Sequence, residues 1–223
     1  MQAIRTLGQF VDDEQIVAWI AGAVGEIHAR AAEQAKVAGK AQKLAVSCTR
    51  CRATKTCCWS MVVARLYEGV IIADRLRRTG RDVPALRDEL AARAEAMEAT
   101  SPQGWRTPCL FLDAAERCTI YDVRPSPCGI LHVYTDPAWC TTRAGEIRGY
   151  VAHEELIAAT ELEEAFRERL ALRKKVGRRY LGVLPRMVLV ALEAWDRTDF
   201  RDYLRQLPWP GEAELARWGG SGG

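Results

Sequence analysis

Histidine is scarce in this sequence: His28, His132 and His153 are the only three in 223 residues. His153 is followed by Glu154, but position 157 is isoleucine, so the two-histidine helix of a zinc protease is excluded. A Gly-rich dinucleotide fingerprint is also missing, as is the Cys-x3-Cys-x2-Cys run of radical enzymes. Ser47, Ser60, Ser101 and Ser126 lack any nucleophile-turn context, which argues against a serine hydrolase. Long apolar runs are absent too. The opening MQAIRTLGQFVDDEQ does not follow the order of a secretion signal, and YLGVLPRMVLVALEAW is interrupted by Pro185 and Arg186. No transmembrane segment is therefore expected, and a cytoplasmic protein is.

What is present is ordinary for a globular chain: 48% hydrophobic and 27% charged residues. At this length folding buries about 70% of the extended chain's surface, so residues 1–218 are expected to form one compact domain. The closing GGSGG (219–223) reads as a flexible tag or linker remnant. A net charge of +3 with both signs abundant gives no strong nucleic-acid signal, and oligomeric state is not specified.

Periodicity predicts a mainly α fold. Ile16, Trp19, Ile20, Ala23, Val24, Ile27 and Ala31 form one stripe, with Asp12 or Asp13 as its cap, Gln15 completing a capping box, and Gly39 as its stop. Trp59, Val62, Val63, Leu66, Tyr67, Val70 and Ile71 predict a second helix. Pro84 fits the first turn of a third, with Leu86, Leu90 and Met97 on its apolar side. Arg143 to Lys175 reads as a long amphipathic helix, and a further helix begins near Pro185 and breaks before Asp199, after which Phe200, Tyr203, Leu204 and Leu207 resume an apolar face. Residues 100–108 are turn formers. Between Cys109 and Cys128 either a compact hairpin or two irregular crossings fit the pattern.

Eight cysteines stand against this background, and half of them fall within eleven residues: Cys48, Cys51, Cys57 and Cys58. Cys109, Cys118, Cys128 and Cys140 follow at separations of nine, ten and twelve. Disulfide frameworks compensate for small secreted domains that lack a core, which this chain is not. Clustered thiolates suit borderline and soft metals, because sulfur is polarisable and short spacing lowers the entropy cost of closing a site. A buried set of free thiols is the bland alternative. Adjacent side chains diverge, so Cys57 and Cys58 need not face one ion, and one or two centres are possible with no fixed partition. Four thiolates around Zn²⁺ or a [4Fe–4S]²⁺ cluster leave a charge of −2, which requires positive neighbours. Arg124, next to Pro125 and two residues after Asp122, is the most constrained of these. His132 is a candidate extra ligand or hydrogen-bonding partner; Tyr121 and Asp122 are candidates to shape a pocket, with a core position favoured for Tyr121. Helix packing is expected of His28, and solvation of His153.

Cys109-Leu-Phe-Leu-Asp113, Cys118-Thr-Ile-Tyr121-Asp122-Val-Arg124-Pro125 and Cys128, downstream of paired cysteines, resemble the signature of the YkgJ-like cysteine-cluster family. These are zinc- or iron-chelating domains related to flagellin lysine methylases, and the likeness spans about residues 48–140. Leu110 stands where the family has proline, Gly129 where arginine is frequent, and the loop before Cys57 is longer than usual. The periodicity predicts a compact helical domain with irregular cysteine-rich metal-binding loops; the resemblance implies an iron–sulfur cluster or Zn²⁺ and raises radical or methyl-transfer chemistry, from which redox-assisted modification of a peptide or protein substrate is the expected role. A noncatalytic zinc-binding interaction module is the alternative.

Overall fold

The computed structural model describes residues 5–47, 56–136, 148–172 and 180–210. Cys48, Cys51, Cys140 and the closing GGSGG fall outside the described residues.

The first helix, α1 (Leu7–Asp13), is capped by Thr6, whose hydroxyl accepts the Gln9 amide at 3.2 Å while the Gln9 side chain accepts the Thr6 amide at 2.9 Å. Asp12 and Asp13 close this helix, and Gln15 adopts a left-handed conformation (φ 50°) at the joint to α2 (Ile16–Ala41), so the expected cap at Asp12 or Asp13 is corrected. The stripe Ile16, Ile20, Val24, Ile27, Ala31, Ala35 is buried, as its period requires. Gly39 is not the stop: α2 runs two residues further and Leu44 turns back to donate to the Gly39 carbonyl at 2.8 Å.

The second predicted helix divides. A 3₁₀ turn covers Thr56–Trp59, β1 covers Val63–Arg65, and α3 runs from Leu66 to Arg78. β1 pairs antiparallel with β4 (Leu181–Val183), Val63 opposite Val183. This distant partner, invisible to local periodicity, draws the β-branched Val63 out of the helix. Glu68 fixes where α3 starts by accepting the Arg65 amide at 2.7 Å. Pro84 opens α4 (Pro84–Glu98) as expected, with Leu90, Ala94 and Met97 buried.

Beyond it lie α5 (Pro127–Ile130), β2 (Leu131–Val133), β3 (Gly149–Val151) and α6 (His153–Arg169). Tyr150 and Val151 sit in β3, where Val151 faces Leu131 across the antiparallel ladder, so the helix expected over 143–175 is interrupted there and, among the described residues, runs from His153 to Arg169. α7 (Leu184–Ala194), with Pro185 in its first turn, is buried on nearly every side, and α8 (Phe200–Gln206) follows. Among the described residues the fold is thus eight α-helices with two two-stranded ribbons, a mainly α architecture. No helix among them is long and apolar enough to cross a membrane.

The main core joins α1, α2, α3, α6, α7 and α8 and takes in Phe111, Ile120, Val123 and Ile130. α3 and α7 cross so closely that a Cβ on Gly69 would stand 2.3 Å from the Met187 carbonyl oxygen. Phe111, Ile120 and Ile130, buried in the same core, flank the cysteine-bearing turns and tie them to the helices.

Candidate metal centre

Three described segments carry thiols. Cys57 and Cys58 lie on the 3₁₀ turn Thr56–Trp59, and the Cys58 carbonyl accepts the Cys109 amide at 2.7 Å, joining the upstream segment to the downstream one through backbone. Cys109 leads into a tight reversal in which Leu112 and Cys118 form an antiparallel bridge. Asp113 closes it: Oδ1 accepts the amides of Ala115 (2.9 Å) and Arg117 (2.8 Å), and Oδ2 accepts Nε of Arg117 (2.9 Å). These local bonds hold the chain in a turn, as short aspartates do, and the compact hairpin is the form found. Cys128 sits on α5, its amide donating to the Pro125 carbonyl at 2.9 Å.

The sulfurs of these segments share one electrostatic neighbourhood. Cys58 feels the charges of Cys57, Cys109 and Cys128; Cys109 feels Cys118 and Cys57; Cys128 feels Cys109, Cys118 and Cys57. Cys57 and Cys58 are hydrogen-bonded to each other. Hydrogen bonding from Cys58 pulls the Cys57 thiol down to about 6 against the opposing effect of burial, and the same bond, with burial, pushes Cys58 up; the pair titrates as a unit. Burial raises Cys109 and Cys118, and burial followed by the charge of Cys109 raises Cys128. Cys128 retains exposed surface although dense protein surrounds its sulfur; crowding sets the direction of its shift, whereas exposed surface sets its access to reagents. Cys57 is exposed, and Cys58, Cys109 and Cys118 are half-buried. All five are free thiols.

Arg124 is the cation nearest this group in effect, lowering both Cys57 and Cys118. Its guanidinium lies 3.9 Å from the centroid of the Tyr121 ring, and its Nε is buried with no hydrogen-bond partner. Tyr121 is 66% exposed, which corrects the core position expected for it: the 3₁₀ turn Tyr121–Val123 buries Val123 and turns the tyrosine outward over Arg124. Asp122 also points away and pairs with Arg75 at 3.3 Å.

The histidines separate. His153, exposed, starts α6. His132 lies on β2 opposite Tyr150, with Nδ1 buried and unpartnered, and burial lowers its pKa. His28 reaches α5 from α2: its ring lies against Gly129, where a Cβ would stand 2.1 Å from Cδ2, so only glycine fits at that position. Burial, then the charge of Arg124, pulls His28 down to about 4, and its Nε2 has no partner.

Sequence reasoning missed the residues that brace these segments. Ser47, just before Cys48, donates its amide to Val133 O at 2.8 Å and its hydroxyl to Val133 O (2.8 Å) and Thr135 O (2.6 Å), fixing that end of the upstream stretch on β2. Glu68, fully buried, accepts the Ser126 amide at 2.7 Å. A carboxylate inside the apolar run Leu66 to Ile72 is its available signal and Ser47 offers none, whereas the helix packing expected of His28 is met against Gly129 on α5.

As placed, no three His, Cys, Asp or Glu side chains among the described residues stand close enough to hold one ion. The donor set nevertheless fits a soft or borderline metal: five free thiols in mutual electrostatic reach, with an unpaired guanidinium nitrogen beside them. No curated protein and no solved structure matches the chain. Residues 47–142 match the family model CxxCxxCC, described as "Putative zinc- or iron-chelating domain".

Proposed function

We propose that the protein is a cysteine-ligated metal protein whose centre is an iron–sulfur cluster serving redox-assisted modification of a peptide or protein. Cys48, Cys51, Cys57, Cys58, Cys109, Cys118, Cys128 and Cys140 form the donor pool for one or two such centres. The observation that carries this reading is that thiols far apart in sequence are brought together: the Cys109 amide donates to the Cys58 carbonyl at 2.7 Å, the bridge between Leu112 and Cys118 closes the same turn, and the charges of Cys109 and Cys128 reach Cys58. An iron–sulfur cluster supplies one-electron exchange, whereas Zn²⁺ supplies only a structural cross-link or a Lewis acid.

The protein's own residues supply charge balance and access. Arg124 offsets the excess negative charge of clustered thiolates, and the ring of Tyr121 fixes its orientation. Exposed surface on Cys57 and Cys128, with Trp59 and Tyr121 exposed nearby in sequence, leaves the centre approachable by a partner chain.

The test is elemental analysis with visible absorption on anaerobically purified protein. Iron, acid-labile sulfide and a broad band near roughly 400 nm are expected for thiolate-bound iron–sulfur. About one or two zinc ions per chain without that band would contradict the iron–sulfur reading and favour the noncatalytic zinc-binding interaction module.

A further inference from the structure

Cys128 is held in place from α3, and the grip comes through the residue two positions before it. Glu68 is 0% exposed, and its two carboxylate oxygens divide between two backbone amides: Oε2 takes Arg65 N–H at 2.7 Å and Oε1 takes Ser126 N–H at 2.7 Å. Its neighbour Tyr67, also fully buried, brings its hydroxyl to 3.3 Å from the Ser126 hydroxyl and donates to the Ala159 carbonyl at 3.4 Å. Ser126 is itself 0% exposed, and its carbonyl accepts the amides of Gly129 (2.9 Å) and Ile130 (3.1 Å). One residue thus links α3 to the turn that carries Cys128. On the other side, His28 packs against Gly129.

The chemistry of this contact is unusual for a helix cap. A capping glutamate satisfies its oxygens on its own helix and commonly faces water; here one oxygen is spent across the fold, on a segment far away in sequence. A buried carboxylate is costly unless hydrogen-bonded, and charge-assisted bonds from amides are short and strong, so the cost of burying Glu68 is offset only while Ser126 stays in register. The negative charge of Glu68 also acts on Cys128 itself.

We propose that Glu68 is a positioning residue for the metal centre: by bridging the first turn of α3 to the Ser126 amide, it fixes Cys128 where its sulfur can join the other thiols. The proposal rests on the metal-binding reading above. It predicts coupling between two residues that share no bond, which a general stabilising role would not produce.

The experiment compares wild type, Glu68→Gln, Cys128→Ser and the double variant, each stripped with chelator, reduced anaerobically and titrated with Zn²⁺ against a chromophoric competitor. Glu68→Gln keeps the shape and one acceptor but sets an amide donor against one of the two backbone N–H groups. It is expected to weaken Zn²⁺ binding about 10–100-fold, the range found when a group orienting a ligand is lost, and to add nothing in the Cys128→Ser background. Equal weakening in both backgrounds, or no weakening in wild type, overturns the proposal. A second readout is independent of metal: alkylation of each cysteine in the stripped protein, followed by mass spectrometry. Glu68→Gln is expected to raise the rate at Cys128 several-fold and leave Cys118 unchanged; a uniform change, or none at Cys128, overturns the positioning role. Wild-type protein that binds no Zn²⁺ or iron would defeat the metal reading, and the alkylation pattern would still decide the positioning role.

Discussion

The α3–α7 crossing and the thiol-bearing face are built on opposite terms. At the crossing, Val70, Ile71, Ala73, Val188 and Ala191 are fully buried and Gly69 lets the backbones meet; stability there comes from apolar area and close packing. On the thiol face, Cys57 and Cys128 are exposed, and nitrogens of His28, Arg124 and His132 are buried without partners. Unmet polar groups of this kind cost stability, which the helical core must supply. One region is closed by packing, whereas the other leaves thiols free and buried nitrogens without protein partners, as the proposed metal centre requires.

The largest expected effect that sharpens this contrast is in the core. Ile71→Ala, at a fully buried position, should lower unfolding stability by about 2–5 kcal/mol in a urea titration. Per folded molecule, metal uptake should be unchanged; an effect on uptake as large as the effect on stability would erase the distinction between the two regions. Gly69→Ala comes next, because its Cβ would meet the Met187 carbonyl oxygen at 2.3 Å. Overpacking should cost about 1–3 kcal/mol despite the better helix propensity of alanine, and unchanged stability would mean that α3 and α7 do not cross as closely as described.

The third effect depends on pH. His28 is pulled from its ordinary 6.5 down to about 4, so the native state resists the proton that the unfolded chain accepts. Its contribution to stability is complete above pH 6.5, is lost as pH falls from 6.5 toward 4, and levels off below that, where both states are protonated. Allowing for partial solvent screening, about 1–2 kcal/mol should disappear over this window in metal-stripped protein. Urea unfolding of His28→Asn should show a correspondingly flatter profile, and an identical profile would place His28 in an ordinary solvated setting. The smallest effect is Arg117→Ala, which removes an exposed partner of Asp113 but leaves the two backbone amides that hold the turn. A change below about 0.5 kcal/mol in thermal unfolding is expected.

Legibility in the sequence followed the range of the interactions. The α2 stripe, the proline-opened α4 and α7, and the predominance of helix were readable, because an apolar period and a proline at the first turn are local signals. β1 and β3 were not: each takes its shape from a partner elsewhere in the chain, Val63 from Val183 and Val151 from Leu131, and read as a helix by periodicity alone. The cysteine segment was recognisable by residue type and spacing, and residues 47–142 match a zinc- or iron-chelating domain model. Its surroundings were harder. Tyr121 was expected inside because aromatic residues usually are, yet the following Val123 takes the buried place. His28 and Glu68 approach α5 from α2 and α3, and no pattern near Cys128 announces either.

The central claim is that thiols from separate stretches act as one donor set, and it is tested most directly by metal stoichiometry in two single variants, Cys58→Ser and Cys118→Ser, purified without oxygen. Each should lose at least one metal centre per chain while keeping a cooperative unfolding transition. Wild-type metal content in both variants would contradict the account.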